Sequence, residues 1–338
     1  MYMRVRQFEA ASPLPQENRA PTIAVLLPCY NEGLVIATVV ERFRSMLPDA
    51  DIYVYDNNSS DNSADIARGS GAIVRSEKRQ GKGFVVRRMF ADIDADIYLM
   101  CDADDTYDAG AAPELIRQLI DDGLDMVVGT RTDVSGTAYR PAHRFGNWML
   151  TSLVRTMFGG VFSDMLSGYR VFSRRFVKSF PPMSQGFEIE TELTIHALQL
   201  EMPVGEMPTR FKDRVEGSES KLQTVSDGFR ILWTIGMLLK QERPFALFGS
   251  ISLMLFCLSL LFGYPVIVEY AQSGTVPRLP MAVLATGTMI LAFLNLFCGL
   301  ILDTVTRGRK EAKLLRYLQL SSIMARLESA AANSANNR

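Results

Sequence analysis

The sequence predicts an α/β fold, a mainly parallel sheet with helices on both faces, followed by two transmembrane helices. Two observations carry this. Between Ile23 and about Arg131, short apolar runs alternate with helix-like stretches, the pattern of parallel strands joined by crossover helices. In the last third, Phe245–Val268 and Leu279–Leu302 contain no Asp, Glu, Lys or Arg, and each reaches the roughly 20 residues that cross a bilayer core as a helix.

Each element follows in chain order. The arm 1–21 is polar and proline-containing, without the apolar run of a signal peptide. Strands are expected at Ile23–Leu27, Ile52–Tyr55, Ala72–Arg75, Ile97–Cys101 and Met126–Gly129, each a short apolar run bounded by turn-forming residues. Helices are expected near Gly33–Met46, Asp61–Arg68, Gly83–Ile93 and Ala111–Asp121, and the whole α/β unit is assigned to 22–220. Segment 221–243 carries Leu222, Val225, Phe229, Leu232, Trp233, Ile235 and Leu238–Leu239 mostly at helical spacing, beside Lys221, Arg230 and Lys240. It fits either an amphipathic helix in the membrane interface or a helix packed on the α/β unit. A transmembrane hairpin is assigned to 244–304, with the short connector Glu269–Arg278, and a tail to 305–338 whose polar end after Ser329 should contribute little. Lys240 and Arg243 precede the first span and Arg307, Arg309, Lys310 and Lys313 follow the second, whereas the connector holds Arg278 as its only cation. That asymmetry places the α/β unit and both termini in the cytoplasm, with a bacterial inner membrane the expected location.

Composition narrows the classes further. A formal net charge of -1 over 338 residues argues against nucleic-acid affinity. Cys29, Cys101, Cys257 and Cys298 form no close pair, and His143 and His196 have no His or Cys at ligand spacing, so neither a disulfide framework nor zinc is expected.

In open sheets of this kind ligands bind beyond the carboxyl ends of the strands, and four polar clusters fall there. Pro28-Cys29-Tyr30-Asn31-Glu32 opens a helix whose amino terminus suits a nucleotide phosphate. Asp56-Asn57-Asn58-Ser59-Ser60-Asp61 supplies acceptors for base N–H groups or ribose hydroxyls, although a plain capped turn needs the same residue types. Gln80-Gly81-Lys82-Gly83 offers close backbone approach and a cation for a diphosphate, without Walker spacing. Asp102-Ala103-Asp104, with Asp105 and Asp108 adjacent, packs like charges that a hard divalent cation relieves; the plain alternative is a solvated acidic loop. Glu188, Glu190 and Glu192 read mainly as acidic residues at the positive end of a helix dipole.

Taken together, Pro28–Glu32, Asp56–Asp61, Gly81-Lys82-Gly83, Asp102/Asp104, Gly129-Thr130-Arg131, Asp164-Met165-Leu166-Ser167-Gly168-Tyr169-Arg170, and Arg214 through Ser220-Lys221 resemble the inverting family 2 glycosyltransferases of the GT-A fold. The similarity is to the dolichol-phosphate mannose synthase-like, polyprenyl-phosphate hexose synthase branch, and it covers roughly Thr22–Leu302. It implies a Rossmann-like mixed, mainly parallel sheet and transfer of a hexose from a nucleotide-sugar, UDP-hexose with GDP-mannose as the alternative, to polyprenyl phosphate at a bilayer. Self-association is left open. Two positions depart from the pattern. Asn57 stands where many members carry a second acidic residue, and Thr106 where the mannose synthases carry a glutamine that helps bind metal.

The resemblance implies that Pro28, Tyr30, Asn31, Glu32, Asp56, Asn58, Lys82, Asp102, Ala103 and Asp104 bind the donor, and that Asp102 and Asp104 hold Mg²⁺ or Mn²⁺ against its diphosphate. Asp104 and Asp164 are the expected catalytic residues. A phosphate monoester has a second pKa near 6, so the acceptor is already largely dianionic and Asp164 is expected to orient rather than to remove a proton. Arg131, Arg144, Ser167, Arg170, Arg214 and Lys221 are the candidates for the acceptor phosphate, since guanidinium forks suit its oxygens. Two rivals stand beside this. A processive polysaccharide synthase would carry a Gln-x-x-Arg-Trp motif, yet neither Trp148 nor Trp233 follows an arginine. A non-catalytic membrane scaffold would bind nucleotide without turnover.

Overall fold

In the computed structural model, the described residues are 21–133, 151–152, 154–156, 162–186, 188–212, 236–237 and 240–328. The strands β1 (Ile23–Cys29), β2 (Asp51–Asp56), β3 (Ile73–Ser76), β4 (Ile97–Met100), β5 (Met126–Asp133), β6 (Arg170–Ser173) and β7 (Val204–Phe211) form one sheet in the order β3-β2-β1-β4-β6-β5-β7. All neighbours run parallel except β6, which is antiparallel to both β4 and β5. The mixed, mainly parallel sheet expected from the sequence is present.

Both faces are covered, for the reason the apolar runs suggest. In a strand buried on both sides, successive side chains enter opposite layers. Leu26, Tyr98, Met100, Met126, Val128 and Phe172 point to one layer, packed by α3 (Lys82–Asp92), α5 (Arg174–Ser179) and α6 (Ile189–Gln199). Val25, Leu27, Leu99, Val127 and Val171 point to the other, packed by α1 (Ile36–Met46), α2 (Ser63–Gly69) and α4 (Ala112–Asp121).

Strands β6 and β7 were not among those expected. The first is four residues long and opens on an arginine. The second is half exposed, carries Glu206 and Arg210, and contains Pro208, which the outermost position in the sheet tolerates because one of its sides needs no ladder donor.

Two helices among the described residues are long and apolar enough to cross a membrane, α7 (Pro244–Ser273) and α8 (Leu279–Leu318). Gly274 makes the turn after α7 at φ 69°, the left-handed region that glycine enters without strain. The pair is stitched by Ser252 Oγ donating to Ala292 O and Ser259 Oγ donating to Ala285 O, both at 2.7 Å. Gly299 lies directly against Phe248, where a side chain would crowd the crossing.

Helix α8 passes position 304 without a break, so the boundary assigned there falls inside a continuous helix. Its carboxyl-terminal extension returns to the α/β unit. Tyr317 is buried in one core layer, and Ile323 and Leu327 of the helical segment 323–328 pack in the other. Arg326 pairs with Asp96 at 2.8 Å. Most of segment 221–243, all of 1–20 and the end 329–338 lie outside the described residues.

Candidate active site

The carboxyl ends of β1 and β2 are sewn into one rim by backbone-to-side-chain bonds. Asn31 N–H donates to Ser59 Oγ (2.9 Å), Ser60 N–H to Asn31 Oδ1 (2.8 Å), Glu32 N–H to Ser63 Oγ (2.9 Å) and Gly33 N–H to Asp61 Oδ2 (3.0 Å). Asn31 and Asn58 take φ values of 54° and 62°, a conformation asparagine tolerates better than most side chains. Pro28 pairs in register with Tyr55, and Tyr30 is half buried beside the rim. Asp56 sits at its centre. Its Oδ2 accepts from Ser59 N–H at 3.3 Å, while its buried Oδ1 has no hydrogen-bond partner among the described residues. A buried acceptor left open in this way suits a ligand N–H.

Asn57 turns out to be structural rather than a donor contact. Its buried amide donates to Glu77 O (3.1 Å) and Arg79 O (2.7 Å), and its Oδ1 accepts from Gly81 N–H (2.7 Å). An acidic residue would lack the two donors, so the departure at this position follows from how the Gly81 loop is held.

Gly81 and Gly83 flank Lys82 because segment 184–185 lies across them. A Cβ on either would stand 2.2 Å from a carbonyl oxygen, of Gln185 and Ser184 respectively, and Gly83 N–H donates to Gln185 O at 3.1 Å. That crossing brings α6 beside Lys82. The Lys82 ammonium is buried and ion-paired with both Asp102 and Glu190. Burial alone would pull its pKa down, but the two carboxylates outweigh it and push it above the ordinary lysine value.

Glu190 was assigned to the helix dipole, and the structure corrects that: it is buried and faces Lys82. Burial pushes its own carboxyl pKa up, and Lys82 pulls it back. Its neighbours behave as expected of a helix start, Glu192 accepting from Met183 and Ser184 N–H and Glu188 from Gly186 N–H.

Asp102 and Asp104 follow β4, with Ala103 buried between them. Thr106 donates its N–H (3.2 Å) and Oγ1–H (2.6 Å) to Asp104 Oδ1 and so orients that carboxylate. Asp105 pairs with Arg42 and Lys212, and Asp108 caps a short 3-10 turn, which separates both from the Asp102/Asp104 pair. Among the described residues no three His, Cys, Asp or Glu side chains form a metal cage. Two carboxylates nonetheless fit Mg²⁺ or Mn²⁺, which draw their remaining ligands from phosphate and water, and the Asp102 side chain is 31% exposed toward such a ligand.

The loop 163–169 closes against this pair. A Cβ on Gly168 would meet Asp102 Oδ2 at 2.5 Å, and Gly168 N–H donates to Tyr107 Oη at 2.9 Å. In the same loop Asp164 receives a two-pronged contact from Arg131, Nε to Oδ2 at 2.7 Å and Nη2 to Oδ1 at 2.6 Å, with a further bond from Arg131 N–H. The two residues therefore act as one unit.

Ser167 and Arg170 face inward. Ser167 donates to Gly129 O, and Arg170, fully buried, donates to Ser167 O, Met165 O and Thr194 Oγ1. Burial lowers the Arg170 pKa to about 10, with Glu190 offsetting part of the effect, so it stays charged as an internal brace. Neither offers the acceptor-phosphate contact expected of it. Arg144, Arg214 and Lys221 lie outside the described residues.

A family model described as Glycosyl transferase family 2 matches residues 24–180. The chain is 31% identical over 277 residues to Glycosyltransferase AglJ of Haloferax volcanii, covering 80% of this chain and 91% of that one. It is 26% identical over 221 residues to a dolichyl-phosphate hexose transferase of the same organism, covering 65% and 95%. Among solved structures, the Mycobacterium tuberculosis glucosyl-3-phosphoglycerate synthase in complex with Mn²⁺, UDP-glucose and phosphoglyceric acid shares the fold, at a TM-score of 0.51 and 24% identity over 65% of this chain and 79% of that one.

Proposed function

The chain belongs to glycosyl transferase family 2, and from that premise we propose that it transfers a hexose from a nucleotide-sugar, UDP-hexose before GDP-mannose, to polyprenyl phosphate at the cytoplasmic face of a membrane. One observation carries the reading: the Lys82, Asp102 and Asp104 cluster at the sheet's carboxyl edge belongs to the same chain as two helices long and apolar enough to span a bilayer. The name of the dolichyl-phosphate hexose transferase relative supports a polyprenyl phosphate acceptor, and the metal and UDP-glucose of the fold neighbour support a metal-assisted UDP-sugar donor.

In this reading Asp56 Oδ1 accepts a base N–H, and the rim from Tyr30 to Glu32 holds the nucleoside. Asp102 and Asp104 would hold Mg²⁺ or Mn²⁺, which when bound neutralises charge on the departing diphosphate. Lys82 adds a fixed positive charge on the same side, where negative charge grows as the sugar C1–O bond breaks. The acceptor phosphate oxygen forms the new bond to C1 from the opposite face and, being dianionic, needs no strong base. Asp164, clamped by Arg131, orients the acceptor side of the site. Arg144, Arg214 and Lys221 supply further cations there.

The test is release of nucleoside diphosphate by the full chain in detergent, across UDP- and GDP-sugars, with and without undecaprenyl phosphate and Mg²⁺ or Mn²⁺. Release from one donor that requires lipid and metal and is abolished by Asp104→Ala is the expected result. Nucleotide binding without release from any donor would overturn the reading in favour of a non-catalytic scaffold.

A further inference from the structure

From the core outward, Arg170, Glu190, Lys82 and Asp102 form a line of alternating charge. Arg170 is fully buried and tied to α6 through Thr194 Oγ1 at 2.8 Å, and that hydroxyl donates in turn to Glu190 O at 3.0 Å. The Glu190 and Lys82 side chains are 4% and 9% exposed, whereas Asp102 at the outer end is 31% exposed. Lys82 thus has an inner carboxylate that a ligand cannot reach and an outer one that it can. A buried ammonium stripped of its counter-charge is costly, and a carboxylate that turns to a divalent cation gives up much of its attraction for a neighbouring ammonium. A site relying on Lys82 and Asp102 alone would therefore resist the metal.

We propose that Glu190 is a positioning residue that keeps Lys82 neutralised from within, freeing Asp102 to engage the divalent cation of the donor complex. This deepens the proposed transfer reaction and rests on it. Segment 184–185, seated on Gly81 and Gly83, sets the distance between α6 and Lys82, so the arrangement is built into the fold.

The experiment is a double-mutant cycle read by Mn²⁺ binding to the full-length protein in detergent, followed by electron paramagnetic resonance with and without UDP. Glu190→Gln removes the inner of the two carboxylates paired with Lys82 and leaves Asp102 to carry more of its charge. The expected result is about tenfold or greater weakening of Mn²⁺ binding, the scale of an outer-shell loss, with UDP binding in the absence of metal undiminished. In a Lys82→Met background, Glu190→Gln should add no more than about twofold, because its target is gone. Should Glu190→Gln fail to fold, the charge-balanced Lys82→Met/Glu190→Gln pair and the charge-retaining Glu190→Asp are compared with Lys82→Met by the same readout. Equal weakening by Glu190→Gln in both backgrounds, or no weakening in either, overturns the proposal, the first assigning Glu190 a general field effect and the second a neutral role. If Glu190→Gln does not fold, Mn²⁺ binding more than about twofold weaker in the double variant than in Lys82→Met overturns it likewise. Failure of the wild type to bind Mn²⁺ with UDP would instead defeat the transferase reading beneath it.

Discussion

Tyr317→Phe tests whether the carboxyl-terminal end of α8 is bound to the α/β unit. Tyr317 Oη donates to Asp125 Oδ2 at 2.7 Å, and the Arg175 guanidinium lies 4.7 Å over the tyrosine ring. Asp125, wholly buried, also receives Ser173 Oγ at 2.6 Å and both Arg175 prongs, at 2.5 and 2.7 Å. Removing the hydroxyl therefore deletes one hydrogen bond without orphaning the Asp125 charge, and phenylalanine keeps the ring under Arg175. Burial, aided by Asp125, pushes the phenol pKa up, so the hydroxyl is a donor throughout the physiological range. A hydrogen bond to a charged group is worth about 1.5–3 kcal/mol, so opening of the extension should become about 10- to 150-fold easier. Hydrogen exchange of the amides in 313–318 and 323–328 reads this directly, with the mid-helix amides of α7 as the unchanged reference. Acceleration below about threefold, worth about 0.65 kcal/mol, would refute the reasoning and make the contact incidental.

Thr106→Val removes the 2.6 Å bond to Asp104 Oδ1 at nearly constant volume, and the metal requirement for nucleoside diphosphate release should rise about 10- to 100-fold; an unchanged metal titration would show that Asp104 needs no such support. Asn57→Asp replaces two buried donors with a charge facing Glu77 O and Arg79 O, so thermal unfolding should show a loss of about 2–3 kcal/mol. A stability within about 0.5 kcal/mol of wild type would contradict that network. His196 is buried and its pKa is lowered to about 3 by desolvation, with Lys313 adding to the effect. Because the folded pKa is depressed below the unfolded value near 6.5, the neutral form's contribution is full above pH 6.5 and is lost as pH falls toward 3. Wild type should accordingly lose about 1.4 kcal/mol per pH unit between pH 6 and 4 relative to His196→Leu, and parallel pH–stability curves would count against a neutral buried histidine.

Elements with strong periodic signals were legible in the sequence, and those set by long-range contacts were not. Strands β1 to β5 are apolar runs cut off by turn residues, and the charge-free spans leave little choice. Strand β7 hides because Pro208 and its charged residues suit an exposed position that only pairing with β5 defines. In the site, Asp102 and Asp104 advertise themselves as neighbouring carboxylates. Glu190 does not, since an acidic residue at a helix start is ordinarily explained by the dipole, and only its burial against Lys82 distinguishes it from Glu188 and Glu192. The available signal was the pair of glycines around Lys82, which implies another chain segment lying on that loop. Arg170 misled in the opposite sense: a cation in a motif suggests phosphate, but its guanidinium is spent on the carbonyls of the loop that seats Gly168 against Asp102.

The attachment points of α8 and the candidate site occupy opposite ends of the sheet. Asp96 and Asp125, which receive Arg326 and Tyr317, directly precede β4 and β5, whereas Asp102, Asp104 and Arg131 lie at or beyond the other ends of the same strands. Four residues of β4 alone separate these levels by about 13 Å. The extension of α8 therefore grips the domain without covering the site. At about 1.5 Å per residue the 40 residues of α8 measure about 60 Å, of which a bilayer core takes about 30 Å. With α8 crossing a bilayer as proposed, the remainder would be a stiff arm continuous with the span, and α8 with its contacts at Asp125 and Asp96 would set the attitude of the sheet toward the membrane.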